Sequence, residues 1–350
     1  MKKLLCVLLI FTVMVALTIP AAALTPQQAF NAVNRSPLGG DGFSIADSYA
    51  GGNFLGGYWV WQNGRVVQYE YRRGYCIDTP HQFWSGTKPM LSVLTGIAIH
   101  HGYIESVEQY AIDFFPDAVI RRGQERKRDI TVFHLLTLRS GLPSMLHDRG
   151  ALRPLFVRYD AGLAAFMAPQ INRPGTFRYC QGGPATQALV GVIERATGQN
   201  LYDFARQYLF NPLNMNSISW TRTQSGSPVG GFGLYISPRD LFAFGQLHLQ
   251  DGVWNGRRLL PRGWVEALTP ASEQVERYSS NGRHRLYFVS DTDAGWQIRA
   301  SGMGGNHLNI LIEHNTMVVR IGHKLGYQSV IDWAFSNSGL MRQRCWLYLR

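Results

Sequence analysis

Aromatic and β-branched runs of strand type lie toward both ends of the mature chain, and helical periodicity fills the span between them. One sheet must therefore be assembled from segments far apart in sequence. Near the start, Gly57 to Gln62 and Arg65 to Tyr71 are aromatic and β-branched runs joined by Asn63-Gly64, the signature of a two-residue hairpin. Near the end, Leu286 to Val289, Gly295 to Ala300, Leu308 to Glu313 and Thr316 to Ile321 read as further strands. Between them, Met90, Leu91, Leu94, Ile97 and Ala98 recur at helical spacing. That helix starts at or just before Ser85 and fades near Gly102. Helices are also predicted after Thr131, over 184–197 and over 201–210, with Gly198 and Pro212 as punctuation. Ser237-Pro238-Arg239-Asp240 supplies a cap, a first-turn proline and an acid for a helix to about Leu249. Pro261 opens another, and 329–336 reads as a closing helix.

This order predicts an α+β fold. An antiparallel sheet from both chain ends is flanked by helices, with a helical lobe inserted in the middle. Residues 24–350 are expected to form one domain, its α/β lobe spanning about 24–95 plus 230–350 and its helical lobe about 96–229. No internal repeat or low-complexity tract interrupts the chain. At 45% hydrophobic composition, 350 residues can bury a large core.

Lys2 and Lys3, an apolar run to about Ile19, Pro20 and then Ala21-Ala22-Ala23 have the order of a secretory leader, with cleavage expected after Ala23. The run is short for a bilayer core of about 30 Å, which disfavours a membrane anchor. No later segment is apolar enough to span, so the mature protein is expected in the periplasm or the medium without a membrane span. The formal net charge is +11, and loss of the two leader lysines leaves +9. Only residues 121–128 form a basic run, interrupted by Glu125 and followed by Asp129. A solvated loop is expected there, not a nucleic-acid surface. Cys76, Cys180 and Cys345 are an odd number without a CxxC pair, so neither a zinc site nor a complete disulfide framework is signalled.

Chemistry concentrates in three places. Ser85-Gly86-Thr87-Lys88 is Ser-x-x-Lys at a helix start, where the spacing puts the lysine amine on the face of the serine hydroxyl. A serine needs a base to become a nucleophile. A partly desolvated lysine supplies one, and first-turn N–H groups face developing negative charge. Lysine is scarce in the mature chain (Lys88, Lys127 and Lys324), which makes its place here more informative. The second place is Tyr179-Cys180-Gln181, after Pro174-Gly175: a phenol beside an ammonium can act as base, and an amide can hold substrate or lysine. Ser301-Gly302-Met303-Gly304-Gly305-Asn306, entering a strand at Leu308, is the third; its glycines let substrate approach an edge-strand N–H.

In this order the three resemble the motifs of the serine β-lactamase and penicillin-binding-protein superfamily, more narrowly its class C, D-alanyl carboxypeptidase and esterase-like branch. Ile130 to Pro143, Pro212 to Met215, Gly231 to Asp240 and Gly245 to Gly256 are similar to the family's other signature stretches, so the resemblance covers roughly residues 40–330. It implies Ser85 as nucleophile, Lys88 as its proton partner and Tyr179 as acid/base. Gln181, in place of the family's asparagine, would be a polar contact, and the N–H groups of Ser85 and Asn306 would receive the oxyanion. No metal or cofactor is implied. The third motif falls on Met303-Gly304-Gly305 with methionine where the family carries a cation for a substrate carboxylate; His307 and Arg299 are the nearby substitutes. Ester or amide hydrolysis of a small molecule or cell-wall-peptide-like substrate is therefore expected. The alternatives are class C-type β-lactamase or D-alanyl peptidase activity, or a non-catalytic envelope module. There is no Gly-x-Ser-x-Gly elbow and no His-Glu-x-x-His, and histidines such as His100, His101 and His134 read as structural.

Overall fold

The computed structural model describes residues 24–29, 54–71, 75–145, 148, 150–176, 183–268, 283–284, 286–292 and 295–323. The leader, Tyr179, Gln181, Cys180, Cys345 and the closing helix at 329–336 lie outside the described residues.

Asn63 and Gly64 take successive left-handed conformations (φ 47° and 89°), the turn that matches strand twist. They join β1 (Phe54–Gln62) to β2 (Arg65–Tyr71) as the sequence predicts. A small three-stranded sheet follows, in which β5 (Leu234–Ile236) pairs with β3 (His81–Gln82) on one side and β4 (Ser219–Trp220) on the other. β6 (Val253–Trp254) and β7 (Arg257–Arg258) form a separate hairpin. The last strands are β8 (Arg283–His284), β9 (Tyr287–Thr292), β10 (Gly295–Gly302), β11 (Asn306–Leu311) and β12 (Thr316–His323). The main sheet runs β2-β1-β12-β11-β10-β9-β8 with antiparallel neighbours throughout, so the first hairpin closes against the last strand.

α1 (Lys88–His100) is the central helix. Its Met90, Leu91, Leu94 and Ile97 share one core with Trp59, Ile298, Ala300, Leu308, Ile310 and Val319 from one face of the sheet. Tyr58, Val60, Leu311 and Val318 face the other way, against Ala29. Between the chain ends lie α2 (Val132–Leu136), α3 (Ala161–Phe166), α4 (Pro184–Thr197) and α5 (Leu201–Ala205), the last continuing into a π-helical turn over Arg206–Phe210. Thr131 and His134 cap α2 reciprocally: the Thr131 hydroxyl accepts from His134 N (3.3 Å) and His134 Nδ1 accepts from Thr131 N (3.1 Å). α6 (Pro238–Leu249) starts where the cap pattern put it, with Ser237 Oγ accepting from Asp240 N at 3.2 Å. A Cβ on Gly245 would stand 2.3 Å from Met317 Sδ, so a larger residue here would make the Met317 side chain move.

Three expectations are revised. Pro261 opens turns and a 3-10 segment, Glu266–Leu268, instead of an α-helix, because Gly263 adopts φ 75° and breaks the ladder. β11 begins at Asn306, two residues earlier than read. In the basic run Lys127 is buried at 1% exposure, and its ammonium donates to the carbonyls of Phe166 (2.8 Å) and Ala168, capping the C-terminal end of α3. That lysine holds the fold and is not part of a solvated loop.

Candidate active site

A 3-10 turn, Trp84–Thr87, carries the candidate nucleophile, so Ser85 precedes the α-helix by one tighter turn. The small sheet holds this turn. Phe83 N donates to Leu234 O (2.7 Å), Leu234 N donates to Thr87 Oγ1 (3.1 Å), and that hydroxyl donates to Trp84 O (2.6 Å). Trp84 is held at φ 50°, a conformation costly for a bulky side chain and concentrated at functional sites.

Ser85 and Lys88 are both buried, at 7% and 3% exposure. Lys88 opens α1, and its Nζ donates to Gly231 O at 3.0 Å. Gly231 is presented by the stretch docked on α4: Gln187 Nε2 donates to Pro228 O (3.1 Å) and Gly230 N donates to Gln187 Oε1 (3.0 Å). A Cβ on Gly230 would lie 2.5 Å from Thr186 O, so the residue before the Lys88 acceptor lies against the first turn of α4. The described residues on either side of Tyr179 and Gln181 are anchored. Gly175 N donates to Arg139 O (2.8 Å), Arg139 Nη1 donates to Gly175 O (3.0 Å), and Thr186 Oγ1 donates to Gly183 O (2.9 Å).

The strand that meets the serine turn is β10. Among the described residues β9 accompanies it only to Arg299, and β10 packs on the serine turn. A Cβ on Gly302 would stand 2.0 Å from Phe83 O and 3.3 Å from Gly86 N. The triplet against the nucleophile is thus Ala300-Ser301-Gly302, three residues earlier than Met303-Gly304-Gly305. Gly304 and Gly305 (φ 81° and 85°) instead shape the turn to β11, folded onto β12, where a Cβ on Gly322 would lie 2.3 Å from Gly304 O. Asn306 pairs with Gly302 from the next strand. It fastens this turn through Nδ2 to Met303 O (2.7 Å) and Oδ1 from Gly322 N (3.2 Å). No local signal separates Gly302 from the glycines that follow it, because its contact with the serine turn depends on strand register.

The suggested substitute cations do not face this turn. Ile298, Ala300, Leu308 and Val319 enter the core beside α1, so by alternation Arg299, Ser301, His307 and Arg320 stand on the opposite face of the sheet. Ser301 Oγ and His307 Nδ1 are 3.0 Å apart. Burial, and then the charges of Arg299 and Arg320, push the His307 imidazole well below its usual range, so it is neutral at pH 7. Among the described residues, no group of three His, Cys, Asp or Glu side chains is arranged to hold a metal ion. None of the described helices is long and apolar enough to cross a membrane. Cys76 is a free, exposed thiol.

A family model described as Beta-lactamase matches residues 44–344. A 6-aminohexanoate-dimer hydrolase of Paenarthrobacter ureafaciens is 24% identical over 291 residues, covering 73% of this chain and 69% of that protein. Among solved structures, a penicillin-binding protein homologue from Pyrococcus abyssi superposes with TM-score 0.61 at 16% identity, over 85% of this chain and 75% of the other. A D-stereospecific amidohydrolase from Streptomyces sp. does so with TM-score 0.60 at 18% identity, over 83% and 96%.

Proposed function

The chain belongs to the beta-lactamase family of serine hydrolases, and from that premise we propose that it is an exported ester or amide hydrolase working through an acyl-enzyme on Ser85. The observation that carries this reading is that Ser85 and Lys88, both buried, stand in consecutive turns, with the Ser85 turn packed on β10. Ser85 Oγ attacks the acyl carbon while its proton passes to Lys88, with Tyr179 as the acid/base that returns a proton to the leaving alcohol or amine. Gln181 is the polar contact of that segment. The N–H of Ser85 is one oxyanion donor. We assign the second to the backbone just after Gly302, at Met303, in place of Asn306, which is one strand further away. Water then adds to the acyl carbon, and the acid departs as Ser85 recovers its proton.

Ester or amide substrates are favoured because the triplet facing the serine turn carries buried Ala300 and no cation, with Met303 beyond it. A carboxylate such as that of a β-lactam has no positive partner in that triplet. The similarity to a 6-aminohexanoate-dimer hydrolase and to a D-stereospecific amidohydrolase supports amide chemistry. Export rests on the leader-like residues 1–23, and the substrate we propose is a small molecule or a cell-wall-peptide-like compound. The test is covalent labelling. A fluorophosphonate should modify Ser85, Ser85→Ala should abolish both the label and aryl acetate hydrolysis, and nitrocefin should turn over slowly. A folded Ser85→Ala enzyme that keeps its turnover would remove this serine from the reaction.

A further inference from the structure

We propose that the acyl group taken by this site is bulky, apolar and uncharged, and that Trp84 and Phe232 determine that preference from two sides of the Ser85–Lys88 pair. The proposal rests on the acyl-enzyme reading above and names its substrate class.

Trp84 is the immediate neighbour of Ser85. The acyl group is the part of the substrate that stays bonded to Ser85, so the residue before it is placed to touch that group rather than the departing one. Trp84 is half-buried and, among the described residues, lies outside the main core cluster that takes up the part-buried Trp254 and Trp296. A bulky residue held in a left-handed conformation next to the nucleophile is the kind of strain that concentrates at functional sites. Met303 is also half-buried and outside the core clusters. It follows Gly302, which touches Phe83 O and Gly86 N, the residues that bracket Trp84 and Ser85. Trp84 and Met303 therefore flank one end of the serine turn.

The other side starts at Lys88. Its Nζ donates to Gly231 O, and the next residue after that glycine, Phe232, packs on a small separate apolar cluster of Leu152, Leu155 and Val229. Phe232 and Met145 in this cluster are only partly buried. A satellite of apolar side chains that keeps part of its surface open beside a buried amine is a ready wall for an apolar ligand group. Neither set contributes a charge, so an ionised acyl group would lose its hydration without gaining a partner.

The test is a series of p-nitrophenyl esters from acetate to octanoate. The wild-type enzyme should show kcat/KM at least tenfold higher for octanoate than for acetate. Trp84→Ala and Phe232→Ala should each lower that octanoate-to-acetate ratio tenfold or more, mainly through KM, whereas Trp84→Phe should keep it. Thermal unfolding checks the fold of each variant; if Trp84→Ala does not fold, Trp84→Leu and Met303→Ser carry the comparison. A wild-type preference for acetate, or an unchanged ratio in every folded variant, overturns the proposal while leaving the acyl-enzyme intact. A folded wild-type protein that hydrolyses no ester and takes no fluorophosphonate on Ser85 overturns the parent reading as well.

Discussion

Gly302 shows how much of the site turns on single atoms. With 2.0 Å between an added Cβ and Phe83 O, Gly302→Ala must push the serine turn away from β10. Overpacking of this kind costs about 1–3 kcal/mol, and a shift near 1 Å at the reacting centre costs about 10²-fold in rate. We expect Gly302→Ala to lower kcat for an aryl acetate by roughly 10²-fold, measured beside Gly304→Ala, whose strain falls on the turn to β11 and should act mainly on stability. Tyr179→Phe should lower kcat by about 10²-fold in the same assay, because a phenyl ring cannot carry the proton; unchanged kcat would assign that role elsewhere. At this scale the residue types were readable. Ser85 and Lys88 are three apart at a helix start, and that spacing alone puts them on one face. Which glycine meets the serine turn was not, since it depends on where β9 stops alongside β10.

Elements with strong local rules were legible to within a residue or two. Asn63-Gly64 has one favourable turn, and Ser237-Pro238-Arg239-Asp240 caps its own helix; neither needs the rest of the chain. The Pro261 segment was misread because its start signal is sound, while Gly263, two residues on, takes a conformation that no helix admits. Contacts between elements left no such trace. α3 and α4 cross at Gly162 and Gly191, where a Cβ on Gly162 would stand 2.4 Å from Gly191 Cα. Because backbone meets backbone there, neither side can yield. Gly191→Ala should destabilise the protein by about 1–3 kcal/mol or more, against the usual gain for alanine in a helix, and chemical denaturation would show it as a lower midpoint.

For the whole molecule, stability is tied to acid through buried imidazoles. His248 on α6 is fully enclosed: its Nδ1 faces Phe244 O at 2.9 Å and therefore carries the hydrogen, while Nε2 accepts from the Tyr287 hydroxyl of β9 at 2.7 Å. Burial lowers its pKa to about 4, and His307 is pushed down as well. Below pH 6.5 the unfolded chain binds protons that the folded one refuses, so stability falls as pH drops from 6.5 to about 4. For His248 this amounts to about 3 kcal/mol. His248→Gln should flatten the fall in unfolding temperature between pH 7 and 4; an unchanged slope would exclude His248 as its source. The amino-acid sequence by itself determined the α+β class, the joining of both chain ends in one sheet, and the serine–lysine pair, because each follows from periodicity or spacing within a few turns of chain. Only the tertiary structure decided that Gly302 meets the serine turn, that Gly231 receives the lysine, and that Arg299 and His307 look away from both. Those are contacts between segments far apart in sequence, fixed by strand register and by which face of the sheet the central helix covers.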